Sequence, residues 1–126
     1  MPQVQNPSDK RRESQTVTAN KTVTDVMSGY VQNVTVDGVA VTLPAAAAGK
    51  VVVIRVGGAA PSGGAVGAVS SASVGLTVVG AVTGLGATGA LSIAKANAKV
   101  GDEVTLVSGA ATWYITNVIG TGWAVA

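Results

Sequence analysis

The chain has 126 residues, a formal net charge of +2, and neither His nor Cys, which leaves room for one domain. It also lacks the commonest general base, the thiol nucleophile, any disulfide and the usual transition-metal ligands. Charged residues make up 11% and apolar residues 48%, and Val and Ala carry most of the apolar share. Val is stiff at its first side-chain torsion and suits a pleated, half-buried surface. The expected fold is therefore all-β: short antiparallel strands and hairpins in a small β-prism, β-helical or barrel-like module.

Residues 1–20 are polar, with Pro2 and Pro7, and are read as an extended N-terminal arm preceding a single β-rich domain over residues 21–126. Met1 to Pro7 contain no apolar core of the kind a secretory signal needs. Seven of the fourteen charged residues lie within residues 1–25, including the basic run Lys10, Arg11, Arg12. Asp9 and Glu13 flank that run and dilute its field. With no basic stripe and no aromatic stacking surface beside it, nucleic-acid binding is not expected. An arm that grips a neighbouring protein is.

From Thr16 to Val56 strand follows strand. Val31–Val36 and Val39–Leu43 alternate around Asp37-Gly38, the strongest short-range cue for a hairpin with a type I′ turn. That hairpin would set Val36 against Val39 and Val34 against Val41, with Val34, Val36, Val39, Val41 and Leu43 on one face. Pro44 ends the second strand because it cannot donate to a ladder. Ala45–Ala48 are too few to sustain a helix before Gly49. Lys50–Val56 then reads as a strand buried on both faces, and its Arg55 is expected at an edge or paired across an interface.

Between Val56 and Ala94 the chain runs 39 residues without a charge and carries ten glycines. Such a stretch is expected to be buried against copies of itself, a larger assembly or lipid. Gly75–Ala94 is long enough to span a bilayer, but it holds five glycines and only seven strongly apolar side chains. Its pieces Gly75–Val79, Ala81–Val82 and Leu91–Ile93 instead suit short strands separated by glycine turns, after a loop at Pro61-Ser62-Gly63-Gly64. Gly84-x-Gly86-x-x-Gly89 lacks the Lys or helix cap that a phosphate loop requires.

The last zone regains a clear pattern: a turn at Val100–Glu103, a strand at Val104–Val107, a turn at Ser108–Ala111 and a strand at Thr112–Val118. The apolar tail Trp123–Ala126 should dock on its own domain or on a partner. Asp102 and Glu103 are adjacent, point to opposite faces, and cannot share a proton; as turn residues both are expected to be solvated. Ser70, Ser71 and Ser73 have no base in view. No catalytic, cofactor or metal site is expected. Alternation sends one ring of Trp113-Tyr114 inward and leaves the other free to stack a sugar.

Val41-Thr42-Leu43-Pro44-Ala45-Ala46 followed by Gly49-Lys50, then Gly101–Ser108, then Thr112-Trp113-Tyr114-Ile115, resembles a recurrent module of tailed-phage structural proteins. The matching blocks, residues 30–56 and 100–116, cover about a third of the chain. The glycine-rich middle departs from the module. The resemblance implies an intertwined β-rich homotrimer found in capsid decoration (cement) proteins and in tail fibres and spikes. At this length a decoration protein fits better, held on the outer capsid surface of the virion after synthesis in the host cytoplasm. It would bridge major capsid protein subunits, with Lys10, Arg11, Arg12 and Lys21 as the docking arm. Val34, Val36, Val41, Val53, Leu76, Val78, Leu106 and Trp113 would pack the core or the trimer axis. The alternative is a receptor- or glycan-binding module. Neither reading calls for a cofactor, a small-molecule substrate, nucleic acid or a membrane.

Overall fold

A computed structural model describes residues 14–24, 30–47, 49–57 and 74–126. Its first six strands come in three pairs: β1 (Ser14–Val17) with β2 (Lys21–Thr22), β3 (Val31–Val34) with β4 (Val39–Thr42), and β5 (Val51–Val56) with β6 (Leu76–Gly84). Members of a pair do not hydrogen-bond to each other. Instead β1, β3 and β5 stack in parallel with Ser14, Val31 and Val53 aligned, and β2, β4 and β6 stack in parallel with Thr22, Thr42 and Val79 aligned. Each pair, called an arch below, thus sends one strand into each of two walls, and the three pairs pile up like rungs.

The remaining strands close the structure. β8 (Glu103–Ser108) runs antiparallel to β5, β9 (Trp113–Ile119) hairpins back on β8, and β9 lies parallel to β6 at Val82 and Thr83. The result is a nearly closed barrel in the order β1-β3-β5-β8-β9-β6-β4-β2. β7 (Ala87–Ile93) folds back on β6, β10 (Trp123–Val125) adds to β7, and Lys95–Asn97 form a single 3-10 turn between β7 and β8. Gly80, at φ 136°, lies at the register break between Val78 and Val82 in β6, where Leu43 packs against it.

The period-2 alternation decides what fills the interior. Val34, Val41, Val56, Val78, Leu91, Val104 and Leu106 point inward and are fully buried, and Trp113 is the largest side chain among them. The Trp113 indole N–H is satisfied by the Pro44 carbonyl at 3.1 Å, so the ring is buried without an orphaned donor.

The Asp37-Gly38 hairpin does not form. Only Gly38 has positive φ, at 81°, whereas a type I′ turn needs it at both central residues. The two strands turn a corner between walls, and each finds its partners in the arches above and below. Asp37 staples this arch to the next one: its Oδ1 accepts the Gly75 N–H at 2.7 Å, and the Gly38 N–H donates to the Gly75 carbonyl at 2.9 Å. Val36 consequently sits in the turn, 42% exposed, rather than on the inner face.

Gly75–Ala94 becomes the β6–β7 hairpin, with Leu85 and Gly86 at its tip at φ 51° and 80°. Among the described residues no helix is long and apolar enough to cross a membrane. The tail beginning at Trp123 docks on its own domain, as β10, and the Trp123 N–H bonds the Ile119 carbonyl. Ser14–Val17, polar enough to read as arm, belongs to the barrel wall. Pro61–Gly64, Ser70, Ser71 and Ser73 lie outside the described residues.

Candidate docking surfaces

Of the four arm residues expected to dock, Lys10, Arg11 and Arg12 lie outside the described residues. Lys21 faces the barrel interior, aligned with the buried Val41. Its ammonium donates to Gln15 Oε1 at 2.9 Å and Gln32 Oε1 at 2.8 Å, and Gln32 Nε2 donates to Gln15 Oε1 at 2.9 Å. Gln32 is fully buried, on the same inward parity as Val34. These three side chains form a polar layer across the open end of the barrel, where β1 and β2 are the terminal strands. Burial pushes the Lys21 amine below its ordinary pKa, since desolvation penalises the charged form. No carboxylate among the described residues pairs with it. The signal for this placement was in the sequence: Lys21 and Val23 share a parity, and Val23 is 1% exposed.

The expected packing residues divide three ways. Val34, Val41, Leu76, Val78, Leu106 and Trp113 are in the main core. Val53 is buried but lies on the outer side of its wall, aligned with Val31 and Thr105 and separate from that core. Val36 is in the arch turn.

The outer face of the other wall is the surface that sequence reading missed. Ala40, Thr77, Ser92 and Ala124 align in one row across β4, β6, β7 and β10, and Thr22, Thr42 and Val79 in another across β2, β4 and β6. All seven are partly or fully exposed, and Val79 is 46% exposed. None carries a charge. A short-chain, uncharged face of this extent is the structural form of the charge-free stretch.

Arg55, Glu103 and Asp102 are engaged within the chain. Arg55 is in the middle of a wall rather than at an edge, and its Nε and Nη2 both donate to Glu103 Oε1, at 3.0 and 2.8 Å, within the chain. Asp102 is buried rather than solvated: its Oδ2 accepts the Lys99 N–H at 2.9 Å, and its backbone carbonyl accepts from Val56. It closes a turn, while Glu103 points outward, so the two carboxylates do face apart. Ser108 Oγ bonds the Ala47 carbonyl and accepts the Lys50 N–H at 3.0 Å, which ties the Ala-rich segment to β8.

At the hairpin tip Thr83, Gly84, Gly86, Ala87 and Thr88 line an open depression of about 410 Å³. Tyr114 is aligned with Thr83 and 48% exposed, while Trp113 and Trp123 are 2% and 7% exposed. No cluster of three metal-capable side chains occurs among the described residues. No protein-family model matches the chain, and no curated protein or solved structure is significantly similar to it.

Proposed function

We propose that this is a virion structural protein that decorates and stabilises an icosahedral phage capsid, binding as a homotrimer across junctions between major capsid protein subunits. The observation that carries the reading is the uncharged outer face of β2, β4, β6, β7 and β10. A sheet face without charge offers a charged partner nothing to pair with, but it can pack on another uncharged surface of a neighbouring copy without burying an unpaired ion. The shielding of Trp113 and Trp123 within the single chain supports a structural role over one built on exposed rings. The resemblance of residues 30–56 and 100–116 to phage decoration and tail modules supplies the setting. Mechanically, a trimer holding three docking arms rigidly gains avidity beyond any one arm. It adds contacts that the shell must break before it opens.

Sedimentation of the purified chain at low micromolar concentration tests the first half. The expected species is a trimer of about 37 kDa, three times the 12.2 kDa chain. Melting of shells with and without the protein tests the second: equal melting temperatures would sink the decoration reading.

One observation favours a receptor- or glycan-binding module instead. Exposed Tyr114 is aligned with Thr83, whose hydroxyl oxygen is 2.8 Å from that of Thr88. Loss of host-cell or glycan adhesion in Tyr114→Ala, with shell stability unchanged, would establish that alternative.

A further inference from the structure

The open end of the barrel carries an inference that holds whether the partner is a shell, a receptor or something else. β1 and β2 terminate the strand order, and among the described residues each is paired on one side only: β1 with β3, β2 with β4. The Thr35 N–H bonds the Val17 carbonyl, so Val17 and Gln15 direct their backbone groups toward β3. By the alternation of a parallel ladder, Ser14 and Thr16 then direct theirs outward. Edges of this kind are usually blunted by charge, proline or a covering loop. Among the described residues of β1 there is no charge and no proline.

Behind that edge lies a cation with no anion among the described residues. Lys21 has three ammonium donors, and the two acceptors it uses are neutral amide oxygens, one of which is also shared with Gln32. The Gln15 and Gln32 amides hold the ammonium in place, and no other acceptor among the described residues takes its third donor. An ammonium that has given up part of its water gains from an opposite charge brought beside it. Backbone groups offered by the edge and a single positive charge beside it specify one type of occupant.

We propose that the β1 edge and Lys21 together form a docking site for an extended, acid-bearing segment of a partner protein. The segment adds as a strand beside Ser14–Val17, its main chain bonding Ser14 and Thr16. One inward Glu or Asp carboxylate accepts the third Lys21 donor. Main-chain pairing supplies affinity in such additions, and the side chain entering the wall supplies selectivity. Because Lys21 is held by two side chains from β1 and β3, it is already placed before the partner arrives, and the partner need not order it.

The test uses the full chain and two capped pentapeptides, Thr-Val-Glu-Val-Thr and the same peptide with Gln for Glu, followed by nuclear magnetic resonance. The Glu peptide should shift the amides of Ser14 and Thr16 and raise the pKa of the Lys21 amine. The Gln peptide should bind at least tenfold more weakly and leave that pKa unchanged. In Lys21→Met the two peptides should bind alike, and the comparison in the unaltered chain stands even where that variant folds poorly. Equal binding of both peptides, or shifts at the β10 edge instead of β1, would overturn the proposal. So would no response at millimolar peptide. Shifts at Ser14 and Thr16 that grow with protein concentration alone would mean that a second copy occupies the edge, and would overturn it too.

Discussion

Leu85 stands at φ 51°, half-exposed, at the tip of the β6–β7 hairpin. A type I′ turn asks for positive φ there, which Asn, Asp and Gly adopt cheaply and a leucine does not. Leu85→Asn should therefore stabilise the fold by about 1 kcal/mol, measured by denaturant midpoint at unchanged slope. Lys21 gives a prediction of the opposite kind. Its folded pKa lies below the ordinary 10.5, so between those two values the unfolded chain binds more protons than the folded one. Stability must then rise with pH through that alkaline window, because the cost of burying the charge disappears as the amine deprotonates. The melting temperature of the wild type relative to Lys21→Met should climb as pH rises toward 10.5. A flat difference would show that the amine is not desolvated.

At the scale of elements, the arches depend on contacts between rungs more than on contacts within them. Asp37 shows this directly, since its carboxylate accepts the N–H of Gly75, a buried residue of the next arch. Asp37→Ala would strand that donor, at a cost of about 1–3 kcal/mol, whereas a solvent-facing hairpin Asp would cost almost nothing. Equilibrium unfolding distinguishes the two. The same residue marks the limit of what the sequence revealed. Alternation in residues 31–43 placed Val34, Val39, Val41 and Leu43 inside, because side-chain parity follows from strand geometry alone. Pairing was not legible, because the partners of β3 are β1 and β5, at separations of 17 and 22 residues for Val31. A local turn cue such as Asp-Gly carries no information about neighbours so far away. The order strand, turn, strand was read correctly where the connection is local, as at β8–β9. Trp113 and Tyr114 were separable for the same reason that Val34 was: adjacent residues on a strand take opposite faces. The uncharged face escaped notice because Ala40, Thr77, Ser92 and Ala124 are unremarkable singly and form a surface only once four strands align.

For the whole molecule, the question is how much that face can do. Five strands at about 4.8 Å spacing make it ~24 Å wide, and five residues along a strand make it ~17 Å long. Its area is thus ~400 Å², about half of what one partner contributes to a stable interface of standard size. Such a face holds a trimer only together with other surfaces, and its contribution should be easy to cancel. A lysine at the centre would be desolvated against an uncharged mate, with no anion in reach to repay the loss of water. Val79 and Thr77 are the positions to alter, since both are exposed in the single chain and their side chains leave the core untouched. Thr77→Lys and Val79→Lys should each leave the strand spectrum of the fold intact and shift sedimentation from about three chain masses toward one. Lys placed instead at Thr116, exposed on β9 and outside this face, should leave the mass unchanged. If the Thr77 and Val79 variants sediment as the wild type does, the uncharged face is not where copies meet, and the proposed trimer loses its structural basis.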